Sequence, residues 1–91
     1  MGFYGMIEIE INFPLGINED EKEKTIQNIS EFVSLDSVGE SSATFCKESY
    51  FCYGTTDDLK RILEELKADN KIKEGRIYMW YLEEPDETIY I

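Results

Sequence analysis

Glu8 and Glu10 are the first side chains in this sequence whose type and spacing suit chemistry, because carboxylates two residues apart on a strand point to the same side. Such a pair can divide acid and base roles, but a glycosidase-type site also needs a cleft, which a chain of 91 residues rarely builds. Histidine, the usual general acid and base near neutral pH, is absent. Cys46 or Cys52 would act as a nucleophile only beside a base or dipole that lowers its pKa, and no histidine is there to do so. Their spacing fits neither a redox C-x-x-C nor a zinc knuckle, and two cysteines cannot hold an iron–sulfur cluster by themselves. Two reduced, mostly buried thiols are expected, a bridge being conceivable only across a hairpin centred on Ser49. Neither NEDEKE nor LDSVGE matches a calcium loop, and the glycines at positions 2, 5, 16, 39, 54 and 75 are isolated rather than gathered into a phosphate loop. These residues lead to no expectation of an enzyme, a metal or a cofactor.

Charge is a stronger signal than any motif. Twenty acidic residues against nine basic ones give a formal net charge of −11, which repels a phosphate backbone or an anionic membrane surface. Direct binding to nucleic acid or membrane is therefore not expected. From Asp57 to Arg76 there are six acids and six bases, and Asp57 with Arg61 and Lys60 with Glu64 have the i, i+4 spacing of a self-supporting solvated helix face. The remaining fourteen acids face only Lys22, Lys24 and Lys47. Glu19, Asp20, Glu21 and Glu23 read as electrostatics at a helix start. Glu83, Glu84, Asp86 and Glu87 form a run that is either a solvated turn or a rim that pairs with lysines and arginines. Glu8 and Glu10 are either a wet strand face or, with Tyr4, Tyr78 and Trp80, a contact surface, since aromatic anchors beside charge are typical of binding hot spots. The last two groups are the candidate partner-binding residues.

Secondary structure must position these side chains, and hydrophobic periodicity outlines it. From Phe3 to Phe13, Ile7, Ile9 and Ile11 alternate with Glu8, Glu10 and Asn12, which predicts a strand with one wet face, ended by Pro14, Leu15 and Gly16. Asn18 with Glu21 three residues on predicts a helix N-cap and its capping-box partner. Ile26, Ile29 and Val33 follow at helical spacing with Phe32 beside them, whereas Asn18 to Thr25 holds no apolar residue and is expected to project past the core or be loosely held. Leu35 to Ser42 reads as a polar connection. Thr44 to Tyr53, split by Lys47, Glu48 and Ser49, reads as two short strands in a tight hairpin, with one continuous strand as the alternative.

Thr55 and Asp58 repeat the capping signal, and Leu59, Ile62, Leu63 and Leu66 form the stripe of a second helix to about Asn70, with Ile72 folding back on its last turn. Arg76 to Leu82 is apolar on both alternating faces, as in a strand well inside a sheet. In one register Tyr78 and Trp80 lie on the wet face; in the other they enter the core while Ile77, Met79 and Tyr81 face out. A turn over Glu83 to Glu87 leads to a short edge strand, Thr88 to Ile91.

This order predicts an α+β single domain over residues 1–91: a ferredoxin-like βαββαβ antiparallel sheet with two helices on one face and an extra C-terminal edge strand. A composition of 42% hydrophobic and 32% charged residues is that of a chain able to fold alone. The start MGFYGMIEIE lacks the basic residues and continuous apolar stretch of a secretion signal, so a soluble cytoplasmic protein is expected. By size, charge and lack of catalytic motifs, the chain resembles small acidic bacterial immunity proteins of contact-dependent or polymorphic toxin systems. The resemblance is one of class and carries over no family residue. It implies an inhibitor, monomeric or weakly dimeric, that covers the positively charged site of a basic toxin, often a nuclease. Two other readings stay open: a phage-encoded nucleic-acid mimic that blocks a host nucleic-acid-binding protein, and a small oligomeric regulatory or ligand-binding module.

Overall fold

The isoleucine-bearing strand, β1 (Gly2–Asn12), lies in the middle of the sheet. The computed structural model describes residues 2–52, 55–81 and 86–91, and of these the side chains of 5–48, 57–80 and 86–91. The other elements are α1 (Glu19–Ser30), β2 (Ser34–Val38), β3 (Ser42–Cys52), α2 (Thr55–Ala68), β4 (Glu74–Tyr81) and β5 (Glu87–Tyr90). The five strands form one antiparallel sheet in the order β2-β3-β1-β4-β5, which with the two helices makes the fold α+β.

Alternation decides what each side of β1 does. Ile7, Ile9 and Ile11 are each exposed by 2% or less, and with Phe45, Ile77 and Met79 they meet Ile29, Leu59 and Leu63 in one buried cluster. Both helices therefore cover the same face of the sheet. A slip of one residue in β1 would drive Glu8 and Glu10 into that cluster, where an unpaired carboxylate is far more costly than a displaced isoleucine. The register of β4 is decided likewise: Ile77 and Met79 are buried, so Tyr78 and Trp80 lie on the uncovered face.

Both helix ends follow local chemistry. Asn18 caps α1, its side-chain oxygen accepting the Glu21 N–H at 2.8 Å. After α2, Asn70 takes a left-handed conformation with φ of 58°, and the N–H groups of Asn70 and Lys71 bond the carbonyls of Lys67 and Leu66 at 3.0 and 2.8 Å. That reversal seats Ile72 in the core, as its position in the sequence predicts. Arg61 pairs with Asp58, one turn before it, on the solvated face. The capping role read for Thr55 falls on a side chain outside the described residues.

The hairpin lies elsewhere than the sequence places it. β3 runs unbroken from Ser42 to Cys52, with Lys47, Glu48 and Ser49 paired to Ile7, Met6 and Gly5 rather than forming a turn. Its hairpin partner is β2, drawn from the segment that reads as a polar connection. All of β2 is exposed, so it has no buried side to produce a period-two signal. It is held by backbone pairing to β3 and by a 2.6 Å contact between the hydroxyls of Ser37 and Thr44, with Asp36 as the extra residue of a bulge. Cys46 and Cys52 thus stand six residues apart on one strand, about 20 Å by strand rise, and no turn brings them face to face.

Nor is the start of α1 loose. Lys22 is buried: its ammonium donates to the carbonyls of Gly39 at 2.9 Å and Glu40 at 3.1 Å in the β2–β3 turn, and lies 5.4 Å from the centre of the Phe13 ring. Thr25, also buried, bonds the Glu21 carbonyl at 2.8 Å, and Lys71 reaches the Glu21 carboxylate at 3.3 Å. A turn without an apolar residue is pinned by a lysine whose stem covers apolar surface while its head binds carbonyls. Replacing Lys22 by methionine keeps the stem and removes the head. Lys22→Met should destabilise the chain by about 1.5–3 kcal/mol, the range for hydrogen bonds to a charged group. The readout is a lower urea midpoint with an unchanged slope, and an unmoved midpoint contradicts the pin.

Candidate partner-binding face

Because both helices take one side, the other side of the sheet is bare, and the register sets its pattern. Cys46, Glu8, Tyr78 and Thr88 make one row across the strands; Thr44, Glu10, Arg76 and Tyr90 make the next; Glu48, Met6 and Trp80 make a third. Side chains directly opposed in such rows are about 4.5–5.5 Å apart at Cβ. Glu8 therefore stands between a thiol and a phenol, while Glu10 lies opposite Arg76. Glu8 is exposed, Glu10 and Tyr78 are half-buried, and Trp80 keeps 37% exposure. Asp36 joins from the β2 bulge, accepting from the Thr44 hydroxyl at 3.4 Å.

Glu8, Glu10, Tyr78 and Trp80 thus share one surface. Asp86 is tied to it, since the Tyr78 hydroxyl donates to its carboxylate at 2.5 Å. Glu87 is not on it. It opposes Met79, whose side is the helix-covered one, whereas Asp86 precedes β5 and meets the bare face through Tyr78. Tyr4 pairs with Tyr50 at the start of β1, but its side chain, like the whole of Glu83 and Glu84, lies outside the described residues. Glu48, Asp36 and Arg76 are the members of this face that sequence reasoning missed. For Glu48 a signal was present: Ala43 and Phe45 alternate with Thr44 and Cys46, and that period continues through the polar triplet.

Two groups on different strands sense the same field. The Cys46 thiol is pushed above its ordinary pKa, first by burial and then by the charges of Glu8, Asp36 and Glu48. The Tyr78 phenol is also raised, first by its hydrogen bond to Asp86, then by burial and by the charges of Asp86 and Glu8. Glu8 is the carboxylate whose charge acts on both groups. A hollow of about 130 Å³ lies on this face, lined by Glu8, Glu10, Asp36, Cys46 and Arg76 among others, too small for a typical ligand pocket of roughly 300–1,000 Å³. Among the described residues no group of three His, Cys, Asp or Glu side chains is placed to hold a metal ion, and no helix is long and apolar enough to cross a membrane.

The chain matches no known protein family, no curated protein and no solved structure. A broad, shallow, anionic surface with aromatic side chains among the carboxylates suits a cationic macromolecule better than a small molecule.

The shared field is measurable at the thiol. In a Cys52→Ser variant, the pH midpoint for alkylation of Cys46 by iodoacetamide should lie above that of a thiol in a short unstructured peptide. Glu8→Gln should bring it down. A midpoint that Glu8→Gln leaves in place contradicts the convergence of these carboxylates on Cys46.

Proposed function

We propose that this chain is a non-enzymatic inhibitor of the immunity-protein type, which neutralises a basic toxin of the nuclease class by laying the bare face of its sheet over the toxin's cationic site. The observation that carries the reading is the grouping of Glu8, Glu10, Asp36 and Asp86 with Tyr78 and Trp80 on the one sheet face that no helix covers. A nuclease gathers lysine and arginine around the phosphate it cleaves. A compact anionic surface is steered to such a site, associates fast and occupies it. Tyr78 and Trp80 add apolar contact, which slows dissociation in a way that charge alone does not. Helix α2 carries balanced charge on its outer face and takes no part. Such an inhibitor acts in the cytoplasm of the bacterium that makes the toxin.

The strand order β2-β3-β1-β4, with helices between β1 and β2 and between β3 and β4, supports reading the fold as ferredoxin-like, with β5 as the extra C-terminal edge strand. That fold is compatible with many activities, so the function rests on the face and not on the topology.

Coexpression with the product of the adjacent reading frame tests the proposal, because an inhibitor of this type is encoded beside its toxin. A stable one-to-one complex and loss of the neighbour's nuclease activity are expected. Glu8→Lys combined with Glu10→Lys should slow association about tenfold or more at low salt and much less at high salt, since screening removes steering. Lys60→Gln with Glu64→Gln on α2 should leave the rate unchanged. An association rate indifferent to the reversal at Glu8 and Glu10 overturns the reading.

A further inference from the structure

We propose that the bare face selects arginine over lysine, a guanidinium of the partner stacking on the Trp80 indole while its N–H edge pairs with Glu8. This rests on the reading of that face as the docking surface for a basic protein, and it names which cation the surface takes.

Trp80 opposes Met6 on β1, and Glu8 is the next residue of β1 on the same face. Indole and carboxylate are thus diagonal neighbours across two strands, about 7–8 Å apart at their bases. A flat cation lying on the indole spans that gap and points its edge at the carboxylate. Of the two glutamates on β1, Glu8 is the one diagonal to Trp80, and it is exposed where Glu10 is half-buried. Glu10 lies opposite the cationic Arg76 of the same chain, whereas the neighbours of Glu8 are Cys46 and Tyr78. The Tyr78 hydroxyl has one proton to donate and gives it to Asp86, so it does not claim Glu8. Trp80 is the most exposed aromatic side chain of the β1–β4 pair among the described residues.

The two possible cations differ in what they gain here. A lysine ammonium is a compact, strongly hydrated point charge that benefits from Glu8 and little from the indole. A guanidinium is planar and weakly hydrated, stacks on an aromatic face and pairs with a carboxylate through its edge at the same time. Cys46 and Tyr78, which flank Glu8 in its row, each have its charge among the causes of a raised pKa.

Two peptides of equal length and charge, octa-arginine and octa-lysine, make the test, with Trp80, the one tryptophan of the chain, as reporter. At physiological salt octa-arginine should change the Trp80 emission and bind about tenfold more tightly than octa-lysine, the scale of a partly desolvated cation–π contact. Followed by calorimetry, Trp80→Leu should bring the two affinities together, and Trp80→Phe, which keeps a weaker aromatic face, should retain part of the preference. Glu8→Gln should weaken octa-arginine binding more than Glu23→Gln, which removes the same charge from an exposed position on α1. Equal affinity for the two peptides, with Glu8→Gln still weakening both, overturns the selection of arginine and leaves the docking surface standing. Binding that falls equally with Glu8→Gln and Glu23→Gln, and leaves Trp80 emission unchanged, is attraction to net charge alone and overturns both.

Discussion

β1 is paired along both edges, to β3 on one side and β4 on the other, so its register is held twice over. A shift by one residue would exchange Ile7, Ile9 and Ile11 for Glu8 and Glu10 on the face that meets the helices, and the core would have to accept carboxylates. The separation of an apolar side from an acidic side is thus built into the central strand. The strands on either side inherit it through cross-strand pairing: Phe45 and Ile77 fall in line with Ile9, and Cys46 and Tyr78 with Glu8.

Placing α1 and α2 on one side completes the apolar core and leaves the acidic side uncovered. Carboxylates at neighbouring positions repel one another, and in a fold held mainly by a small core that repulsion opposes stability. Water and salt reduce the cost on an open surface, and a cationic partner would remove it. The charge on α2 is arranged differently, with acids and bases alternating and Arg61 reaching back to Asp58. The same chain therefore carries one face tuned for solvation and another whose charge is unbalanced.

What could be read from the sequence follows burial. β1, α2 with its Ile72 return, and the apolar strand β4 each bury a regular set of side chains, so periodicity reveals them. β2 buries nothing and reads as a connection, and with it the hairpin was shifted into β3. The firmness of the first turns of α1 was also hidden, because Lys22 is held by backbone carbonyls of a distant turn and not by apolar neighbours on its own helix. At the candidate face, Glu8, Glu10, Tyr78 and Trp80 were recognisable by residue type and spacing, although the side taken by Tyr78 and Trp80 depended on which of two alternating sets the core accepted. Asp36 joins the face through β2–β3 pairing and Glu48 through β1–β3 pairing, and Glu87 leaves it because it opposes Met79 on the side that the helices cover.

The central claim is that the side of the sheet away from the helices is where a basic partner sits. Methyl NMR on the complex with the coexpressed partner tests it most directly, because Met6 and Met79 come from adjacent strands and lie on opposite sides of the sheet. The account predicts that the Met6 methyl and those of Thr44 and Thr88 shift or broaden on complex formation, while Met79 and the leucines of α2 keep their free positions. Perturbation of the α2 leucines with Met6, Thr44 and Thr88 unmoved would contradict it.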